Sequence, residues 1–155
     1  SGMEAKDVIE LHKLFEGNGI EVWIDGGWGI DALLGKQTRP HNDLDIAIDH
    51  KDKPKLRKLL ENRGYKSVAR DDTSDWNFVL SDGQCEIDIH TFAFDDKGNN
   101  VYGIAYPKQS LTGIGTISRE SVRCISPEWV IKFHAKYKPT DKDFKDIQAL
   151  CDKFS

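Results

Sequence analysis

The 155-residue chain predicts an α/β fold, and three observations predict it. Leu44, Ile46 and Ile48 alternate with acidic residues and Ala47, the period of two of a half-buried strand. Val8, Leu11, Leu14 and Phe15 recur at the spacing of one helical face. Between such segments stand glycine and proline punctuation rather than long linkers, so strands and helices alternate within one unit.

The elements follow in order. The first helix stops at Gly17-Asn18-Gly19, a glycine terminator, and a short strand runs from Glu21 to Ile24. Asp25-Gly26-Gly27-Trp28-Gly29 breaks that strand, and Ile30, Leu33 and Leu34 predict a short helix closed by Gly35. After the alternating strand, Pro54 suits the first turn of a helix carrying Leu56, Leu59 and Leu60 to Gly64. Two strands, near Trp76 to Leu80 and Gln84 to His90, flank Ser81-Asp82-Gly83 as a hairpin. Residues 93 to about 116 show no period and read as a loop region with one further strand at most. Ser126-Pro127-Glu128 is a strong helix start, and helices to Tyr137 and from about Asp141 to Phe154 close the chain.

Composition narrows the function. A chain of this length buries roughly 70% of its unfolded surface, and 38% hydrophobic residues supply an ordinary core. With 22 Lys plus Arg against 26 Asp plus Glu, the net charge is -4 and no basic block exists, so nucleic acid is not an expected partner. No apolar run reaches the length of about 18 residues needed for a membrane span, and no secretory pattern opens the chain; no membrane association and a cytoplasmic location are expected. Cys85, Cys124 and Cys151 are too few and too widely spaced for a disulfide framework or a zinc cluster. Ser1-Gly2 ahead of Met3 is read as an appendage and set aside.

The chemistry concentrates at Gly26-Gly27 and Asp43-Leu44-Asp45. On a strand, residues two apart project from the same face, so the two carboxylates stand together and repel unless a cation neutralises them. Magnesium suits such a pair, since it takes oxygen ligands from one or two carboxylates plus substrate phosphates. An isolated Asp-x-Asp is more often a solvated strand face. Glu86, Asp88 and His90 share one face of the later strand, so sheet pairing can bring a third carboxylate to the pair and open a two-metal site. Gly26 and Gly27 lie between a strand and a helix, where bare backbone can approach a phosphate; paired glycines are also common in plain turns. Arg39 and His41 offer charge-assisted phosphate contacts, with a surface Arg and a half-exposed His as the alternative. Trp28, next to the glycines, is the tryptophan best placed to meet a ligand, while His134, Tyr137, Lys132 and Lys136 read as structural or solvated.

The stretch from Asp25 through Arg39, His41, Asp43 and Asp45 to Ile46 resembles the signature of the small antibiotic nucleotidyltransferases, the lincosamide and aminoglycoside 2''-nucleotidyltransferase relatives in the polymerase-beta-like superfamily. Glu86-Ile-Asp-Ile-His90 and Cys124-Ile-Ser-Pro-Glu-Trp129, with Phe133-His134 and Tyr137, are similar as well. The resemblance covers residues 8 to 154 and implies a nucleotidyltransferase fold: a mixed, mostly antiparallel sheet of about five strands, helices packed on it, and a short helical C-terminal part. It implies one domain over residues 3–155, with a catalytic core to about 92, a loop and strand region to about 125, and terminal helices. Asp43, Asp45 and Asp88 would hold two magnesium ions, Gly26 and Gly27 would cradle a nucleoside triphosphate, and Asp88 or Glu86 would be the general base. The implied reaction moves AMP from ATP to a hydroxyl of a lincosamide or aminoglycoside and releases pyrophosphate. A homodimer completing the acceptor pocket fits the small size and the resemblance. Two alternatives stand beside it: a minimal nucleotidyltransferase modifying a protein partner, as in toxin and antitoxin systems, and a non-catalytic nucleotide-binding module.

Overall fold

A computed structural model describes residues 2–134 and 141–155, with residues 141 and 142 described by their backbone alone. Helix α1, Ala5–Gly17, opens with a reciprocal cap between Glu4 and Asp7 and buries Val8, Leu11 and Phe15. Strand β1, Trp23–Asp25, runs straight into α2, Gly26–Leu34, which ends on Gly35 in the left-handed conformation. Strand β2 is Leu44–Asp49 and helix α3 is Lys53–Glu61, with Pro54 in its first turn. Strands β3, Lys66–Val68, β4, Asn77–Ser81, β5, Glu86–Phe94, and β6, Asn100–Gly103, follow. A short 3-10 turn, Lys108–Thr112, leads to the hairpin of β7, Gly113–Ile117, and β8, Glu120–Cys124. Helices α4, Pro127–His134, and α5, Asp141–Phe154, complete the described chain.

The strands form one mixed sheet in the order β3-β4-β5-β2-β1-β8-β7, with β6 on the far end of β5. Its pairings are antiparallel except β2 with β5 and β1 with β8, and those two parallel pairs flank β1 and β2 at its centre. The expected α/β architecture is present, but the sheet has eight strands among the described residues where about five were expected. The additions are the short β3, which pairs with β4, and the β7-β8 hairpin. That hairpin falls partly in the stretch read as loop, because Gly113 and Gly115 sit where added side chains would strike the backbone of Cys124 and Ala32, and their absence blurs the alternating pattern. Tyr137, expected to end α4, lies outside the described residues, as does Lys136.

The apolar face of β2 and β5 supplies the centre of the core: Leu44, Ile46, Ile48, Ile87 and Ile89 are each at most 2% exposed. The opposite face of the same strands is left to Asp45, Glu86, Asp88 and His90. No helix among the described residues is long and apolar enough to cross a membrane.

Candidate active site

The register of the three central strands builds the acidic centre. Asp25 of β1 pairs with Asp45 of β2, and Asp45 pairs with Asp88 of β5, so three aspartates stand side by side on adjacent strands. Asp43, just before β2, joins them: one carboxylate oxygen from each of Asp43, Asp45 and Asp88 lies within 4.8 Å of the others. Removal from water pushes the Asp45 carboxyl up to about 8, with Asp43 and Asp88 adding repulsion. Burial likewise raises Asp88, and only His90 pulls it back. Asp88 Oδ1 is buried with no hydrogen-bond partner among the described residues; His90 Nε2 stands 3.5 Å away, too far for a strong bond. An all-oxygen donor set whose members repel, one oxygen of it unpaired, fits a hard divalent cation such as magnesium.

Helix α2 begins at this centre. Asp25 caps it, accepting from Gly26 N–H at 2.9 Å with Oδ1, while Oδ2 accepts from the Tyr106 hydroxyl. Gly26 starts the helix with φ +61°, and a Cβ there would lie 1.9 Å from Asp45 Oδ2. The residue must therefore be glycine for Asp45 to reach the cluster. A side chain at Gly27 would lie 2.4 Å from His41 Nδ1. The two glycines are bare for the sake of Asp45 and His41, and the glycine run is the helix's first turn, not a loop before it. The α2 N-terminus still presents its backbone N–H groups and positive dipole end beside the carboxylates, a setting for the phosphates of a metal-bound nucleotide.

Several residues expected to contact ligand are placed otherwise. His41 is buried, with Nε2 2.5 Å from Asp31 Oδ2 and its ring 4.9 Å from that of Trp28. Thr38 donates to the other oxygen of Asp31 at 2.6 Å. Arg39, expected to meet phosphate, commits both terminal nitrogens to Asp146 of α5, at 2.5 and 2.8 Å. Trp28 is 1% exposed and belongs to the core. Glu86 lies on the acidic face but is held by Arg70 at 2.7 Å, outside the cluster.

Beside the row of aspartates lies a cavity of about 510 Å³. Asp25, His90, His134 and Asp143 line it with polar groups, and Ile104, Tyr106 and Phe133 with apolar ones. Burial, with Asp25 next, raises the Tyr106 hydroxyl well above its usual value, so it remains a donor to Asp25. Reading the sequence missed Asp25, Tyr106 and Asp146. Asp25 carried a signal, an Asp directly before a helix start; Tyr106 and Asp146 carried none, since only the fold brings them here.

The sequence profile of the aminoglycoside-2''-adenylyltransferase family matches residues 7–150. The chain belongs to that family. It is accordingly a nucleotidyltransferase of the antibiotic adenylyltransferase kind. Among its relatives is the lincosamide resistance protein of Staphylococcus haemolyticus, 33% identical over 94% of this chain and 92% of that protein. The 2''-aminoglycoside nucleotidyltransferase of Escherichia coli is 26% identical over 95% of this chain and 85% of its own length. Of solved structures, the lincosamide antibiotic adenylyltransferase LnuA with lincomycin bound is 29% identical, superposes with a TM-score of 0.83, and is matched over 97% of this chain and 98% of LnuA. ANT(2'')-Ia in complex with adenylyl-2''-tobramycin shares the fold at a TM-score of 0.78 and 23% identity, over 97% of this chain and 89% of its own.

Proposed function

We propose that this adenylyltransferase-family protein transfers AMP from ATP, with magnesium, to a hydroxyl of a lincosamide or aminoglycoside and releases pyrophosphate. The observation that carries the reading is the Asp43, Asp45 and Asp88 cluster at the start of α2, opening beside the 510 Å³ cavity. Magnesium held by these carboxylates would neutralise phosphate charge as it shifts toward the departing pyrophosphate. The chain's own contribution is positioning. The α2 N-terminus would face the phosphates, and the strand register brings one oxygen of each carboxylate within 4.8 Å of the others. In the step, the acceptor oxygen forms a bond to the α-phosphorus, the bond to the β-phosphate oxygen breaks, and the hydroxyl proton leaves to a base.

Asp88 is that base. It stands in the acidic cluster next to Asp45, and His90, which lines the cavity, has its Nε2 3.5 Å from Asp88 Oδ1 and would relay the proton's charge. Glu86 is a weaker choice, because Arg70 neutralises it. The walls Ile104, Tyr106 and Phe133 would take an apolar part of the acceptor, and a second copy of the chain would complete the pocket. The test is pyrophosphate release from each nucleoside triphosphate with magnesium across lincosamides and aminoglycosides, with product masses. Addition of one AMP to either class supports the reading; labelling of protein alone, or no release with any acceptor, overturns it.

A further inference from the structure

The segment 35–43, which delivers Asp43, contains neither helix nor strand, so side-chain anchors set its path. Thr38 and His41 tie it to Asp31 on α2, and Met3 N–H donates to His41 carbonyl oxygen at 3.1 Å. Gln37 Nε2 closes the turn on Arg39 carbonyl oxygen at 3.0 Å. Arg39 reaches further, forking onto both oxygens of Asp146 on α5, 107 residues away. Asp146 is 5% exposed and the Arg39 side chain 25%, so the carboxylate of this bidentate pair is withdrawn from water and the fork constrains the geometry. Pro40 follows, with its own φ fixed and the backbone of Arg39 restricted. Anchoring Arg39 therefore sets the direction in which His41 and then Asp43 leave the turn.

The geometry points to Arg39 and Asp146 as a positioning pair through which helix α5 sets the placement of the metal ligand Asp43. Arg39 is not a phosphate contact in this arrangement, since its two terminal nitrogens face away on Asp146. Asp143, one helical turn before Asp146, lines the cavity, so one helix supports both the cavity wall and the acidic cluster. This inference rests on the proposed magnesium-dependent transfer for its meaning, but its test reads metal binding directly.

The experiment is a double-mutant cycle on Arg39→Lys and Asp146→Asn in the full chain, with Mn2+ as the probe. Binding is followed by loss of the free-ion paramagnetic resonance signal, and melting curves report folding. Each single variant should weaken Mn2+ binding roughly tenfold, as substitutions that support metal ligands do. The double variant should be no weaker than the poorer single, because both remove one interaction. In turnover, the magnesium concentration at half-maximal rate should rise while KM for the nucleotide at saturating magnesium stays within about twofold. Arg39→Lys with Asp146→Glu, a shorter base with a longer acid, should recover binding and serves where Asp146→Asn does not fold. Wild-type Mn2+ affinity in Asp146→Asn, multiplied effects in the double variant, or a nucleotide KM raised by Arg39→Lys alone overturns the positioning role. A wild-type chain that shows the Mn2+ cycle but releases no pyrophosphate from any nucleotide removes the proposed reaction and keeps the pair.

Discussion

Two charged clusters lie within a few residues of each other, and the chain treats them in opposite ways. At Asp31–His41 and Arg39–Asp146 each carboxylate has a basic partner at hydrogen-bond distance, and Thr38 takes up a remaining oxygen. At Asp43, Asp45 and Asp88 three acids face one another within 4.8 Å, and Asp88 Oδ1 has no hydrogen-bond partner among the described residues, with His90 at 3.5 Å. The first arrangement balances its charges within the protein and holds the loop; the second gathers like charges that an added cation would balance. The difference separates a structural cluster from a functional one more sharply than either motif does alone. It also fixes the sign of what substitution should do.

The largest effect should come from the like-charged cluster. Asp43→Asn, Asp45→Asn and Asp88→Asn should each lower turnover by on the order of a thousandfold or more, since each removes a ligand or the base. The metal-free melting temperature should hold or rise in Asp45→Asn, because burial beside Asp43 and Asp88 disfavours the aspartate charge and Asn carries none. Turnover near wild type in any of the three, measured alongside melting, breaks the assignment.

The balanced cluster should respond in stability with the opposite sign. Asp31→Ala leaves the buried His41 without its partner and takes the acceptor from the Thr38 hydroxyl, at a cost of about 3–5 kcal/mol and a melting temperature lower by roughly 10 °C. Gly27→Ala should act on the same pair, since the added methyl strikes the His41 ring. Its melting temperature should drop along with nucleotide affinity. Calorimetric melts decide both, and an unchanged Asp31→Ala would show that the pair holds nothing.

Between these lies a dependence on pH. The Asp45 carboxyl titrates at about 8 in the metal-free fold against an ordinary 3.8, so between those values the folded state keeps a proton that the unfolded chain releases. Stability without metal should therefore fall as pH rises from about 4 to about 8, by on the order of a few kcal/mol, and level off above. Asp45→Asn should flatten that slope, and magnesium should bind more tightly as pH rises through the same range because it displaces the proton. Urea midpoints across pH, with and without magnesium, read both.

The like-charged cluster was legible in the sequence, and the balanced one was not. Asp43-x-Asp45 and Glu86-x-Asp88 declare themselves through the period of a strand, and alternation with Ile46, Ile87 and Ile89 fixes which face they share. Local pattern also placed α1, α2, α3 and the β4-β5 hairpin. It could not give β1–β8 pairing, which joins residues a hundred apart, nor the partner of Arg39 on α5. A charged side chain in a loop reads as solvent-facing until the fold shows what covers it. The same limit explains Trp28, whose place beside the glycines suggested a ligand while packing put it in the core.

The smallest effect should come from Glu86, which shares the strand face of Asp88 but not its situation. Arg70 holds its carboxylate at 2.7 Å in an exposed setting, so its charge is already balanced and the acidic cluster forms without it. Glu86→Gln keeps the shape, loses an exposed ion pair of about 0.2–1 kcal/mol, and reduces repulsion on Asp45 slightly, since Glu86 is the last and weakest of the charges acting there. Mn2+ affinity should stay within about twofold, and turnover should fall no more than a few-fold, the range expected when no transition-state contact is removed. Paired titrations and initial rates of Glu86→Gln and Asp88→Asn make the comparison. Loss of metal binding in Glu86→Gln with retention in Asp88→Asn would exchange the two residues, moving the third ligand one pleat along β5 and placing Asp88 on the acceptor side.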